Sequence, residues 1–209
     1  GGAQLVTQGG NAAQLVQNVL LGNGVTVSNI NYSGSGIALG SFSGVNTNIG
    51  LSSGVIMTTG TISNSGDGPH GPNNAEGAGM DNGAPGNSIL NGIAGAQTFN
   101  AATLEFDFVP FSDTVRFNYV FASEEYLEYV LSGFNDAFGF FISGPGIAGQ
   151  QNIARLPNGQ AVSIDNIHSA GTNVNAVDFG PQNSQFYVNN NGGATIQYDG
   201  FTRVLTAES

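Results

Sequence analysis

The chain has 209 residues, 14 acidic and three basic side chains, and a formal net charge of −11. The three cations are Arg116, Arg155 and Arg203, with no lysine, so the clustered cations that nucleic acid or anionic lipid would need are missing. There is no cysteine, which excludes disulfides, thiolate metal sites and cysteine nucleophiles, and no run of about 18 apolar residues is present to insert in a membrane.

Charged residues make up only 8% of the chain, and Gly, Asn, Ser, Thr and Gln supply the polar surface, as in secreted surface material. A hydrophobic fraction of 40% with 14 Phe predicts folding rather than disorder. The length suits one domain, and the lack of cysteine fits bacterial export. The chain opens on Gly1-Gly2, as expected after removal of a signal peptide or within a longer protein.

Residues 1–10 read as a flexible segment, apolar only at Ala3, Leu5 and Val6, and as a candidate donor strand for another copy. Residues 11–22 predict one short helix: Ala12, Leu15, Val16, Val19 and Leu20 share a face, Asn11 is placed to cap the start and Gly22 the end. Val25–Val27 and Ile30–Tyr32 alternate as a strand whose phase slips at Asn29, the mark of a bulge. A short apolar strand follows over Gly54–Thr59. Residues 63–98, rich in Gly, Asn and Pro, form a long irregular segment of the kind that is usually functional.

Leu104, Phe106 and Phe108 alternate with Glu105 and Asp107, and Val115, Phe117, Tyr119 and Phe121 alternate with Arg116 and Asn118. Pro110-Phe111-Ser112-Asp113 between them reads as a hairpin connection. Phe138–Ser143 is nearly all apolar and predicts a central strand covered on both faces. Val162–Ile164, Phe186–Val188, Thr195–Tyr198 and Thr202–Thr206 complete about nine or ten short strands, the count of a sandwich. The expected core gathers Phe106, Phe108, Phe117, Tyr119, Phe121, Phe138 and Phe140.

The densest acidic run is Glu124-Glu125-Tyr126-Leu127-Glu128, followed by Asn135-Asp136. Hard cations take carboxylate, amide and carbonyl oxygens, so Glu124, Glu125, Asn135 and Asp136 are candidate Ca²⁺ ligands. A solvated acidic loop with nothing bound is the competing reading. Paired carboxylates also suit a glycoside hydrolase, but tryptophan platforms are absent. His70 and His168 are isolated and read as hydrogen-bonded structural residues. Gly40-Ser41-Phe42-Ser43-Gly44 puts Phe where a nucleophile elbow needs Ser.

Three blocks carry a resemblance. They are Gln14–Gly22 running into Val25–Asn29; Leu104–Phe108 with Tyr119–Tyr126 and Phe134–Pro145; and Tyr198–Thr202 with Val204–Ala207. Together they resemble the choice-of-anchor L domain over almost the whole chain. The resemblance implies a domain of a secreted bacterial surface protein with no enzymatic activity, and it strengthens the metal reading, because the Ser-Glu-Glu-Tyr and Asn-Asp blocks belong to its signature. Two departures stand out. Asn87-Ser88-Ile89-Leu90 replaces an acidic Asp-x-Asp-Leu run, and the family domain continues with strands beyond Glu208-Ser209.

The resulting expectation is a single all-β domain over residues 11–209, a jelly-roll β-sandwich with one short N-terminal helix, lacking its last strands. Its expected role is a non-catalytic structural or adhesive module, extracellular or on the bacterial cell surface, stabilised by Ca²⁺ and pairing strands with further copies or other surface proteins. A glycan-binding module with a groove of exposed Tyr, Asn and Asp near residues 124–136 is the alternative, and a glycoside hydrolase-type enzyme ranks third.

Overall fold

A computed structural model describes residues 4–22, 25–64, 66–75 and 77–209. Strands in small sheets dominate, with two short helices, so the chain is all-β as expected. No helix among the described residues is long and apolar enough to cross a membrane. The chain divides into two compact units.

The first unit comprises Gly1–Asn87, Thr98–Asp113 and Gly192–Tyr198. Its strands are β1 (Val6–Gly9), β2 (Thr26–Ser33), β3 (Leu39–Ser43), β4 (Ser53–Met57) and β5 (Thr103–Val109). They form a three-stranded antiparallel sheet β1-β3-β4 and an antiparallel pair β2-β5. Val6–Gly9, expected in a flexible segment, is thus a strand paired within the chain. Gly40 admits it: a Cβ there would lie 2.2 Å from the Gln8 carbonyl oxygen.

Helix α1 (Ala12–Gln14) starts as predicted, with the Asn11 side chain accepting from the Gln14 N–H at 2.9 Å. It then widens into a π turn, Leu15–Leu20, closed by Leu21 N–H on the Val16 carbonyl. Leu15 and Val16 are buried, while Val19 on the expected apolar face is exposed. The change from a 3.6-residue period rotates the later positions away from that face.

The bulge in β2 falls where the phase slips. The register shifts between Ser28 and Asn31, Asn29 takes φ 53°, and its side-chain amide donates to Asp107 at 2.7 Å. Asn tolerates this left-handed backbone better than a branched residue. In β5, Leu104, Phe106 and Phe108 are half-buried and Glu105 and Asp107 exposed, as alternation requires. The Gly-rich segment is braced at several points. His70 bridges to Ile196, and Gln197, only 1% exposed, donates to Asn73 and to the Ala75 carbonyl. That single bridge is all that remains of the strand expected over Thr195–Tyr198.

The second unit comprises Ser88–Gln97, Thr114–Asn191 and Asp199–Ser209. It holds helix α2 (Ser88–Ala94) and the strands β6 (Arg116–Tyr119), β7 (Ala122–Ser123), β8 (Ala137–Phe138), β9 (Phe141–Ile142), β10 (Gln151–Asn152), β11 (Val162–Ser163), β12 (Gly171–Thr172), β13 (Asp178–Phe179), β14 (Tyr187–Asn189), β15 (Gly200–Thr202) and β16 (Leu205–Glu208). The pairings are β6-β16, β14-β15-β7, β8-β11, β9-β10 and β12-β13, all antiparallel. The expected hairpin at Pro110–Asp113 does not form, because β5 pairs with β2 and β6 with β16.

The apolar run Phe138–Ser143 is not one central strand. A Cβ on Gly139 would lie 2.4 Å from the Phe141 ring, so that ring occupies the space of a side chain and interrupts the ladder. The Asn152 side chain then accepts from the Phe140 N–H at 3.1 Å, in place of a neighbouring strand. The expected strand Thr202–Thr206 also breaks in two, where Arg203 N–H donates to the Phe186 carbonyl. The aromatics expected in one core are divided between the two units. Phe106 pairs with Phe108 in the first unit, while Phe117 with Phe140 and Tyr119 with Phe138 pair in the second.

The core of the second unit joins Tyr126, Val130, Leu156, Val162, Ile164, Ile167, Tyr187 and Leu205. The Tyr126 and Tyr187 rings meet at 4.8 Å over Gly200, where a Cβ would fall 2.6 Å from Tyr126 and 2.7 Å from Tyr187. Gly200→Ala should therefore overpack this site and cost about 1–3 kcal/mol in a urea titration. Gly22→Ala, with nothing within 4 Å, should stay within about 0.5 kcal/mol of the parent. Equal midpoints for the two variants would show that the tyrosines are free to move apart.

Candidate functional site

The acidic run grows out of β7 and returns to the core. Tyr126 and Val130 are buried, so the segment between β7 and β8 is anchored by its apolar positions, with Glu124 and Glu125 half-buried and Glu128 exposed. Backbone bonds tighten it, from Tyr129 to the Glu125 carbonyl and from Val130 to the Leu127 carbonyl.

Ser123 ties the two signature blocks together. Its hydroxyl donates to the Asp136 carboxylate at 2.6 Å and accepts from the Glu125 N–H at 3.0 Å. Asn135 is a brace: its amide donates to the Ala94 carbonyl of α2, and its oxygen accepts from the Asp165 N–H. The Asp165 carboxylate in turn accepts from the Leu131 N–H at 2.7 Å.

Of the four residues expected as ligands, Glu125 and Asp136 are both shifted upwards. Burial, then the charges of Asp136, Glu128, Glu124 and Asp199, push the Glu125 carboxyl up to about 7. Burial also raises Asp136, against the opposing effect of the Ser123 hydrogen bond. Glu128 and Asp199 complete the cluster and were not among the expected ligands. Glu128 stands in the same acidic run. Asp199 becomes legible only through strand register: Gly200 pairs with Ser123, which brings the preceding Asp199 towards Glu124.

The guanidinium groups are engaged elsewhere. Arg116 pairs with Glu208 at 3.1 Å, Arg155 donates to the Asn152 and Gly159 carbonyls, and Arg203 donates to the Gln185 carbonyl. Among the described residues, no three His, Asp or Glu side chains stand in a ready-made metal cage. Tyr126 is buried at 2% exposure and so is no open sugar platform, and the half-buried Tyr129 meets Phe134 edge to face. His70 and His168 hydrogen-bond to the Leu5 and Ser169 carbonyls, and His168 is buried with its ring on Phe179. In the first unit a cavity of about 190 Å³ is lined by Ser33, Gly86, Asn87, Thr103 and Glu105 among others.

The raised Glu125 sets a pH dependence. Its folded-state pKa lies above the ordinary value of 4.5, so between the two the folded chain holds more proton than the unfolded chain. Stability then falls as pH rises through that window. In chelator, the melting temperature should drop between about pH 5 and pH 8, and Glu125→Gln should reduce the slope, with Asp136, raised in the same direction, carrying part of the rest. A slope unchanged in Glu125→Gln would assign the titration to another group.

No curated protein and no solved structure matches the chain. A family model does, the Choice-of-anchor L domain, over residues 5–209. Its span takes in the Ser-Glu-Glu-Tyr block, the Asn-Asp block and the Asp-Gly-Phe block that the structure joins around Ser123 and Gly200. The family is one of surface-associated modules, cell-surface or secreted, and is not a known family of enzymes. The chain belongs to the choice-of-anchor L domain family.

Proposed function

We propose that the chain is a non-catalytic structural or adhesive module of the bacterial cell surface, of β-sandwich type, stabilised by Ca²⁺ at the acidic cluster. One observation carries the cation: Glu125 is raised to about 7 by burial and four neighbouring carboxylates, while every guanidinium is spent elsewhere. A hard cation supplies the missing charge. Glu124, Glu125 and Asp136, which do not stand as a ready-made cage, would have to close on it, with an amide lone pair from Asn135 and with Glu128 and Asp199 adding field. Carbonyls and water complete six to eight oxygens around Ca²⁺, and extracellular modules of this kind bind at about 10⁻⁴–10⁻³ M.

Membership of a surface-associated family supports the same setting, where calcium is plentiful. Association of copies through open strand edges belongs to this reading too. Sheets of two or three strands leave edges, and the chain has no lysine to guard them.

Thermal melts decide the cation. Ca²⁺ at about ten times that dissociation range should raise the melting temperature by several degrees, Mg²⁺ less. The gain should grow as pH rises past 7, because Glu125 must ionise to bind. Glu125→Gln with Asp136→Asn should abolish it. Superimposable melts of the parent in chelator and in Ca²⁺ would rule the cation out.

A further inference from the structure

A second feature of the same unit is apolar. Leu131 (53% exposed), Phe134 (61%), Val174 (53%) and Val177 (53%) stand on two loops, the one after Val130 and the one between β12 and β13. Single exposed apolar residues are ordinary, but here the loops are stitched side by side. Val174 N–H donates to the Glu128 carbonyl at 2.7 Å. The buried Asn173 amide donates to the Val130 and Leu131 carbonyls, and its oxygen accepts from the Asn175 and Val177 N–H groups. One side chain therefore shapes the 173–177 loop and fastens it to the other.

Leu131 itself is held in the left-handed region, at φ 56°. A branched residue is a genuine outlier there, and the conformation costs about 1–2 kcal/mol that Gly or Asn would largely avoid. Gly133, two residues on, takes φ 94° without a Cβ. The strained Leu131 is instead clamped at both ends, its N–H by Asp165 and its carbonyl by Asn173. Strain that the surroundings hold in place points to a role for the side chain it presents.

The charge around the patch selects its occupant. Asp165 and the exposed Glu128 and Asp178 lie on the same two loops and the turn they rest on, and no guanidinium is directed there. A second copy would bring its own −11 and the same acidic frame. We infer that the Leu131–Phe134–Val174–Val177 surface docks a basic, apolar-bearing polypeptide segment of another protein. Its apolar side chains would cover the four residues and its Lys or Arg side chains would answer Glu128, Asp165 and Asp178. The inference goes beyond the calcium reading and does not require the cation.

Fluorescence anisotropy on the whole 209-residue chain in chelator tests it, with three labelled synthetic peptides of equal length: alternating Lys-Leu, Lys-Ser and Glu-Leu. The Lys-Leu peptide should bind at least about tenfold more tightly than either of the others. Leu131→Gly with Val174→Ser should weaken it by about tenfold or more. Leu131→Gly alone should raise the melting temperature while weakening binding, because it relieves the left-handed strain and removes the contact. Equal affinity for Lys-Leu and Lys-Ser, binding of Glu-Leu as tight as Lys-Leu, or a double variant that binds like the parent would each overturn the proposal. Working in chelator keeps this outcome separate from that of the calcium melts.

Discussion

The packing of Tyr126 on Tyr187 above Gly200 is the constraint on which the second unit depends. Burying a ring of this size contributes about 1.5–3 kcal/mol, and the ring pair adds about 0.5–1.5 kcal/mol. That gain fixes the middle of the most acidic segment of the chain. Glu124 and Glu125 precede the anchor and Glu128 follows it, so their carboxylates have no freedom to spread apart as they would on a solvated loop. The register of β15 on β7 then brings Asp199 to the same place. Like charges are gathered because their backbone is held by apolar contacts, and the raised Glu125 is the electrostatic consequence.

The sequence was legible where a local rule decides the backbone. Alternation in β5 holds because one face of that strand is half-buried and the other exposed, and the phase slip at Asn29 marks the one residue there able to take a positive φ. Asn11 caps α1 because its side chain reaches the N–H three residues on, a purely local contact. The failures share a cause as well. Phe138–Ser143 reads as one strand, yet the fold of the Phe141 ring over Gly139 is a choice of rotamer and partner that hydropathy does not encode. The acidic segment could be found from its composition. Its burial through Tyr126, and the arrival of Asp199, depend on strands some seventy residues away in the chain.

Amides take the place that ion pairs hold in most proteins. Asn135, Asn152, Asn173, Asn183 and Gln197 each make two or more hydrogen bonds, most of them to backbone groups that lack a ladder partner. An amide both donates and accepts, so it can close a turn and fasten it to a neighbour in one step, as Asn173 does. It carries no net charge, so it adds nothing to the repulsion within a chain already at −11. The short ladders of the second unit, several of only two residues, are viable because such braces satisfy the backbone between them.

This economy also explains why the unusual positions of the second unit fall close together. Amides satisfy much of the backbone, but the link between the two signature blocks runs through a carboxylate, because Ser123 donates to Asp136 while Asn135 braces the second block on Ala94 and Asp165. In their ionised form Glu125 and Asp136 are destabilising, as the upward direction of both shifts requires. The exposed Leu131 has the same character, since its left-handed backbone is strained and its side chain is not buried. Both features oppose folding by themselves, and both are held in place by their surroundings. Asp165 links them directly, because its N–H is fixed by Asn135 of the acidic cluster and its carboxylate clamps Leu131. On the reading proposed above, a cation would offset the first cost, and an apolar, basic segment would offset the second.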